Sequence, residues 1–159
     1  MENEVQKSQR LLLGHGALVL LVGFIIGFGF LFFLNGEISL WPIPGVIAYQ
    51  LPGTYDAWRM AHTEGIANGL MLWILAAALP ALQAFIKQIY RLAVGMVIVA
   101  WTIVLASAID PLFPDAMGLA FTPVSNLAND VAFFLFFVGI IIAVAVVIAV
   151  AVKSFRVPA

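Results

Sequence analysis

The sequence predicts an all-α integral membrane protein: a four-transmembrane-helix bundle with N-terminus and C-terminus both on the cytoplasmic side. Composition is the first observation. Hydrophobic residues make up 64% of the 159 and charged residues 9%, against roughly 45–50% and about 25% in an ordinary soluble domain. So few charges cannot cover a soluble surface, and a mean hydropathy of +1.13 points to lipid as the solvent. The second observation is four separate apolar runs, each long enough to span a bilayer. The third is the one-sided distribution of Lys and Arg between them. The length has room for a single domain, residues 1–159. Cysteine is absent, which excludes disulfides, thiolate metal sites and covalent haem attachment. A net charge of −1 without a basic run gives no footing to nucleic acid as a partner.

The spans follow in order. Residues 11–34 contain one ionisable side chain, His15. As a helix this run covers about 36 Å, enough for a hydrocarbon layer of about 30 Å. Residues 61–85 form the second span, with a helical start near Tyr55 open to it after the breaker Pro52-Gly53. Residues 92–109 form the third, closed by Asp110-Pro111, and residues 131–152 the fourth, with no polar side chain. Lys7, Arg10, Lys87, Arg91, Lys153 and Arg156 fall on one side of these crossings and only Arg59 on the other. By the positive-inside rule the six mark the cytoplasmic face. The outer loops, 35–58 and 111–129, are rich in Pro, Trp and apolar residues. They are expected to pack as a lid over an intramembrane cavity.

Ionisable and amide groups inside a span are costly and so point to function. His62 and Asn68 in span two are the candidates, with Asn68 about 9 Å deeper along the helix. Ala61, Gly65 and Gly69 repeat every four residues and form a smooth strip beside His62. That strip has two readings: close approach of a neighbouring helix, or room for a flat macrocycle beside a ligating imidazole. Interface hydrogen bonding, metal or haem ligation and proton relay all remain open for His62. His15, between Gly14 and Gly16, is expected near the opposite membrane face, so the pair cannot clamp one iron. Its ordinary reading is a histidine at the lipid–water boundary. Glu64 suits a helix start, Asp110 a turn, and Asn126, Asn129 and Asp130 the cap of span four. Arg59 can pair with Asp56 or with a propionate, the former being expected. Gly23, Gly27 and Gly29 are read as helix-packing positions.

Taken together these residues resemble the styrene oxide isomerase family of small four-span bacterial membrane proteins. The likeness rests on Gly14-His15-Gly16, Pro42-Ile43-Pro44-Gly45, Pro52-Gly53, Trp58 with Ala61-His62, Gly65, Asn68-Gly69 and Leu79-Pro80. It continues through Trp101-Thr102, Gly118-Leu119 and Phe121-Thr122-Pro123. The resemblance implies a haem b held between neighbouring subunits of a homotrimer in the bacterial inner membrane, with His62 as axial ligand to the iron. It implies that ferric iron acts as a Lewis acid on a lipophilic epoxide, which becomes an aldehyde with no net redox change, and that Asn68 positions the epoxide. Gly65, Gly69 and Arg59 are then cofactor-binding candidates. The family's span-three tyrosine is replaced by Ser107, which donates a hydrogen bond but supplies no aromatic wall. Two other readings stand beside this one. One is a haem b membrane module for electron transfer or sensing, the other a haem-free assembly or transport subunit.

Overall fold

A computed structural model of the chain describes residues 3–113 and 126–156. It contains α1 (Glu4–Asn35), α2 (Tyr55–Leu82), α3 (Ile89–Ile109) and α4 (Leu127–Ser154). All four are long and apolar enough to cross a membrane. Most of the second outer loop, including Asp115, Gly118-Leu119 and Phe121-Thr122-Pro123, lies outside the described residues.

The helices outrun the apolar spans because their caps are polar and sit beyond the hydrocarbon. Asn3 and Gln6 form a reciprocal capping box that starts α1 at Glu4 rather than at residue 11. Thr54 Oγ1 accepts from the Ala57 N–H at 3.2 Å, so α2 begins six residues before residue 61. It also ends at Leu82 rather than at residue 85, two residues past Pro80. Proline has no N–H to give the carbonyl four residues back. That carbonyl, Ala76 O, instead accepts from Gln9 Nε2 of α1 at 3.0 Å. A 3-10 turn, Asp110–Leu112, follows α3, as the Asp-Pro pair implies. Asn126 caps α4 by accepting from the Asn129 N–H at 2.8 Å.

Contacts at the two ends fix the alternation. At one, Glu4 Oε1 accepts from the Tyr90 N–H at 3.0 Å, and Lys7 lies over the Tyr90 ring. Arg91 and Lys153 share a cleft at this same end. The start of α1, the α2–α3 link and the finish of α4 therefore meet on one side, the basic one. At the other end Gly53, with φ 93°, packs its Cα directly on the Pro111 carbonyl. Only glycine adopts that backbone at no cost, and no side chain fits there.

The tightest seam is α1 on α2, and glycine makes it. A Cβ built on Gly65 would stand 2.5 Å from Gly23 Cα, and one on Gly69 2.6 Å from Leu20 Cγ. Further in, Gly16 receives the Trp73 ring, whose Nε1 donates to Leu13 O at 3.1 Å. Among the described residues α4 packs on α3 and not on α2. That leaves an apolar lateral cleft of about 690 Å3 lined by residues such as Ala67, Ile74, Met96 and Val147.

The expected lid takes a different form. The first outer loop folds as a small antiparallel hairpin, β1 (Ile38–Ser39) against β2 (Val46–Ile47). Its base is fastened: Gln50 Nε2 donates to Phe33 O at 3.0 Å, and Trp58 Nε1 to Pro52 O at 2.8 Å. Its tip is not packed on the helices, since Trp41 is 94% exposed and Ile43, Val46 and Ile47 are also exposed. Two-residue strands bury too little to draw the tip down onto the bundle.

Candidate functional site

His62 lies two turns into α2, and α1 supplies its surroundings. Nδ1 is 3.0 Å from Gly23 O. A carbonyl only accepts, so Nδ1 carries the hydrogen and the neutral ring keeps its lone pair on Nε2. Nε2 has no hydrogen-bond partner among the described residues. A Cβ on Gly27 would stand 2.8 Å from both Nδ1 and Cε1 of the ring. Gly27 is therefore more than a packing position, because it makes the slot in which the imidazole lies.

The depth of the two histidines also departs from expectation. Gly23 and Gly27 stand near the centre of the apolar run 11–34, so His62 sits towards mid-membrane rather than at the outer face. Along α1, His15 is eight residues before Gly23, about 12 Å away at the helical rise. His15 is also not a lone boundary residue, because its Nδ1 accepts from Trp101 Nε1 of α3 at 3.0 Å. The two rings thus engage different helices at different depths, and the separation of the pair survives for this reason.

Asn68 is 6% exposed. Its Nδ2 donates to Glu64 O at 2.9 Å and to Glu64 Oε2 at 2.8 Å. The sequence reading of Glu64 as a helix-start charge misses this tie, although the i, i+4 spacing was there to signal it. Ser107 is 0% exposed, and its hydroxyl has no hydrogen-bond partner among the described residues. Ser107 stands six residues beyond Trp101, about 9 Å up α3, while Gly69 meets Leu20 five residues beyond His15, about 7.5 Å up α1. Asn68 and Ser107 accordingly lie within about one turn of the same depth.

The remaining candidates fall elsewhere. Gly65 and Gly69 are filled by α1, so of the two readings of the small strip the structure shows close helix approach. Arg59 pairs with Asp56 at 3.1 Å, with the two side chains 61% and 78% exposed. Such a pair adds at most about 1 kcal/mol.

The candidate polar groups in this apolar bundle are thus the His62 ring, the Asn68 amide and the Ser107 hydroxyl, of which Asn68 and Ser107 share a depth. A family model described as styrene oxide isomerase matches residues 8–155. The styrene-oxide isomerase of Pseudomonas fluorescens is 28% identical over 128 residues, which are 80% of this chain and 74% of the relative. With the family model spanning all four helices, the chain is an isomerase of the membrane and belongs to the styrene oxide isomerase family.

Proposed function

We propose that the protein isomerises a lipophilic epoxide to an aldehyde with a bound haem b, and that His62 is the axial ligand. The observation that carries the cofactor is the Nδ1–H···O=C bond from His62 to Gly23. A backbone carbonyl on the far ring nitrogen is the usual way in which a ligating histidine is oriented and its tautomer set. Among the described residues no cluster of three or more His, Cys, Asp or Glu exists to hold a bare ion. A lone imidazole suits a metal whose other ligands arrive with it, as in a porphyrin. With Gly65 and Gly69 filled by α1, a macrocycle at His62 is best held on the flank of the chain, between copies in a homotrimer. That supports an assembly of copies, whose number rests on the family resemblance, and the charge pattern and family support placement in a bacterial inner membrane.

Bound ferric haem supplies a Lewis acid for the epoxide oxygen. The chain does the rest. Asn68 and Ser107 orient the substrate, and the apolar spans exclude the water that would otherwise capture a cationic carbon as a diol. Lipophilic epoxides enter laterally from the bilayer.

The test is an absorption spectrum of the purified protein followed by turnover of aryl, alkyl and terpene epoxides by its ferric and ferrous forms. A Soret band with ferric turnover to a carbonyl product is expected. A Soret band with no turnover of any epoxide leaves a haem module for electron transfer or sensing, and no Soret band removes the cofactor from the proposal.

A further inference from the structure

Glu64 is the one carboxylate well inside a span that the proposed chemistry leaves unused. It stands nine residues past Tyr55, about 13 Å into α2. A carboxylate at such depth is costly and calls for a reason. Glu64 lines a groove with Asp56, Arg59, Met60 and Thr63 that leads to the exposed Arg59–Asp56 pair. Among the described residues the Glu64 side chain bonds to Asn68 alone.

The two bonds to Asn68 use the amide completely on one side. Nδ2 has two hydrogens, and Glu64 O at 2.9 Å and Glu64 Oε2 at 2.8 Å take one each. Two acceptors facing the same atom leave no doubt which end is nitrogen. Asn68 Oδ1 accepts no hydrogen bond among the described residues. The free end of the amide is therefore its carbonyl.

We propose that Glu64 is a positioning residue which holds Asn68 so that its carbonyl oxygen, not its NH2, faces the epoxide carbon. The inference rests on the isomerase reading above. In that reaction a C–O bond of the epoxide breaks and a hydride shifts from the oxygen-bearing carbon to the cationic one. The oxygen's electron pair then closes the carbonyl, so all atoms and electrons stay within the substrate. Positive charge develops at the carbon that loses oxygen. The negative end of a fixed amide dipole stabilises that charge, and a flipped amide opposes it. Glu64 fixes the dipole because it holds both NH2 hydrogens, one on its backbone carbonyl and one on its side chain.

The experiment is a double-mutant cycle on the haem-loaded protein with Glu64→Ala, Asn68→Ala, the double variant and Glu64→Gln, measuring kcat and KM. Glu64→Ala should lower kcat about ten- to a hundredfold with a smaller change in KM, as for loss of one oriented dipole. The double variant should be no slower than Asn68→Ala, because Glu64 acts only through Asn68. Glu64→Gln keeps an acceptor oxygen and should recover most of the loss. Side-chain amide NMR of 15N-asparagine-labelled protein gives a readout apart from activity. The Asn68 NH2 pair, identified by its absence in Asn68→Ala, should shift in Glu64→Ala and stay near its native position in Glu64→Gln. An unmoved NH2 pair overturns the proposal, as does wild-type kcat in Glu64→Ala. Multiplying losses in the double variant, or Glu64→Gln as slow as Glu64→Ala, overturn it too. Those results leave the isomerase reading intact. Wild-type protein that turns over no epoxide sinks both.

Discussion

Trp101 donates its indole N–H to Nδ1 of His15 at 3.0 Å, the reverse of the arrangement at His62. Accepting at Nδ1 requires the neutral ring to carry its hydrogen on Nε2. His15 therefore has both nitrogens committed to hydrogen chemistry, while His62 keeps an open lone pair. His62→Ala should abolish the Soret band, and His15→Ala should leave it. His15→Ala should instead lower stability by about 1–3 kcal/mol, because the Trp101 N–H loses its acceptor. Absorption spectra and thermal unfolding in detergent separate the two effects. Equal loss of haem from both variants contradicts the tautomer assignment.

The slot at Gly27 can be tested without touching His62, the proposed ligand. Gly27→Ala puts a methyl 2.8 Å from the imidazole, so the ring must turn and its bond to Gly23 must weaken. Loss of such an outer partner costs a metal site about 10–100-fold in affinity. Gly14→Ala is the control, because nothing lies within 4 Å of its Cβ. Haem titration of the two variants should therefore diverge. Identical affinities mean that the slot does not hold the ring.

Gln9 and Pro80 form a compensating pair through Ala76 O. Gln9→Ala should cost about 1 kcal/mol, by leaving that carbonyl unpaired near the inner end of α2. In Pro80→Ala the new N–H can satisfy the same carbonyl, so removing Gln9 in that background should cost much less. Unfolding midpoints of the four proteins measure the coupling, and additive losses contradict it.

The four helices were legible because each apolar run falls within or above the range of lengths that span a bilayer, and the basic residues between them marked the alternation of ends. Helix limits were less legible. Thr54 and Asn3 act as caps from polar sequence in which hydropathy carries no signal. His62 and Asn68 stood out as polar groups in apolar surroundings. What completes them did not. Gly23 contributes a backbone carbonyl and Gly27 an absence of side chain, and both matter only through how α1 lies on α2. The outer hairpin failed for the opposite reason. Its apolar, Pro-rich composition describes a surface that water disfavours but does not say which body covers it.

Ser107 gives the last prediction, since its hydroxyl is buried with no hydrogen-bond partner among the described residues. A hydroxyl in that state costs desolvation and returns nothing to the fold. Ser107→Ala should therefore leave stability unchanged or raise it by about 1 kcal/mol. If the hydroxyl is kept for the epoxide, the same variant should lower turnover by about tenfold or more while the Soret band stays put. Stability and activity then move in opposite directions, as expected where a fold carries a cost for its chemistry. Ser107→Tyr tests the complementary point. The site is fully enclosed, so the larger ring should cost about 1–3 kcal/mol of stability. Turnover of aryl epoxides should nonetheless rise relative to alkyl ones, because the ring restores an aromatic wall. Unfolding midpoints and turnover on paired aryl and alkyl epoxides read both effects. Wild-type turnover in Ser107→Ala would make the hydroxyl a packing atom and remove Ser107 from the site.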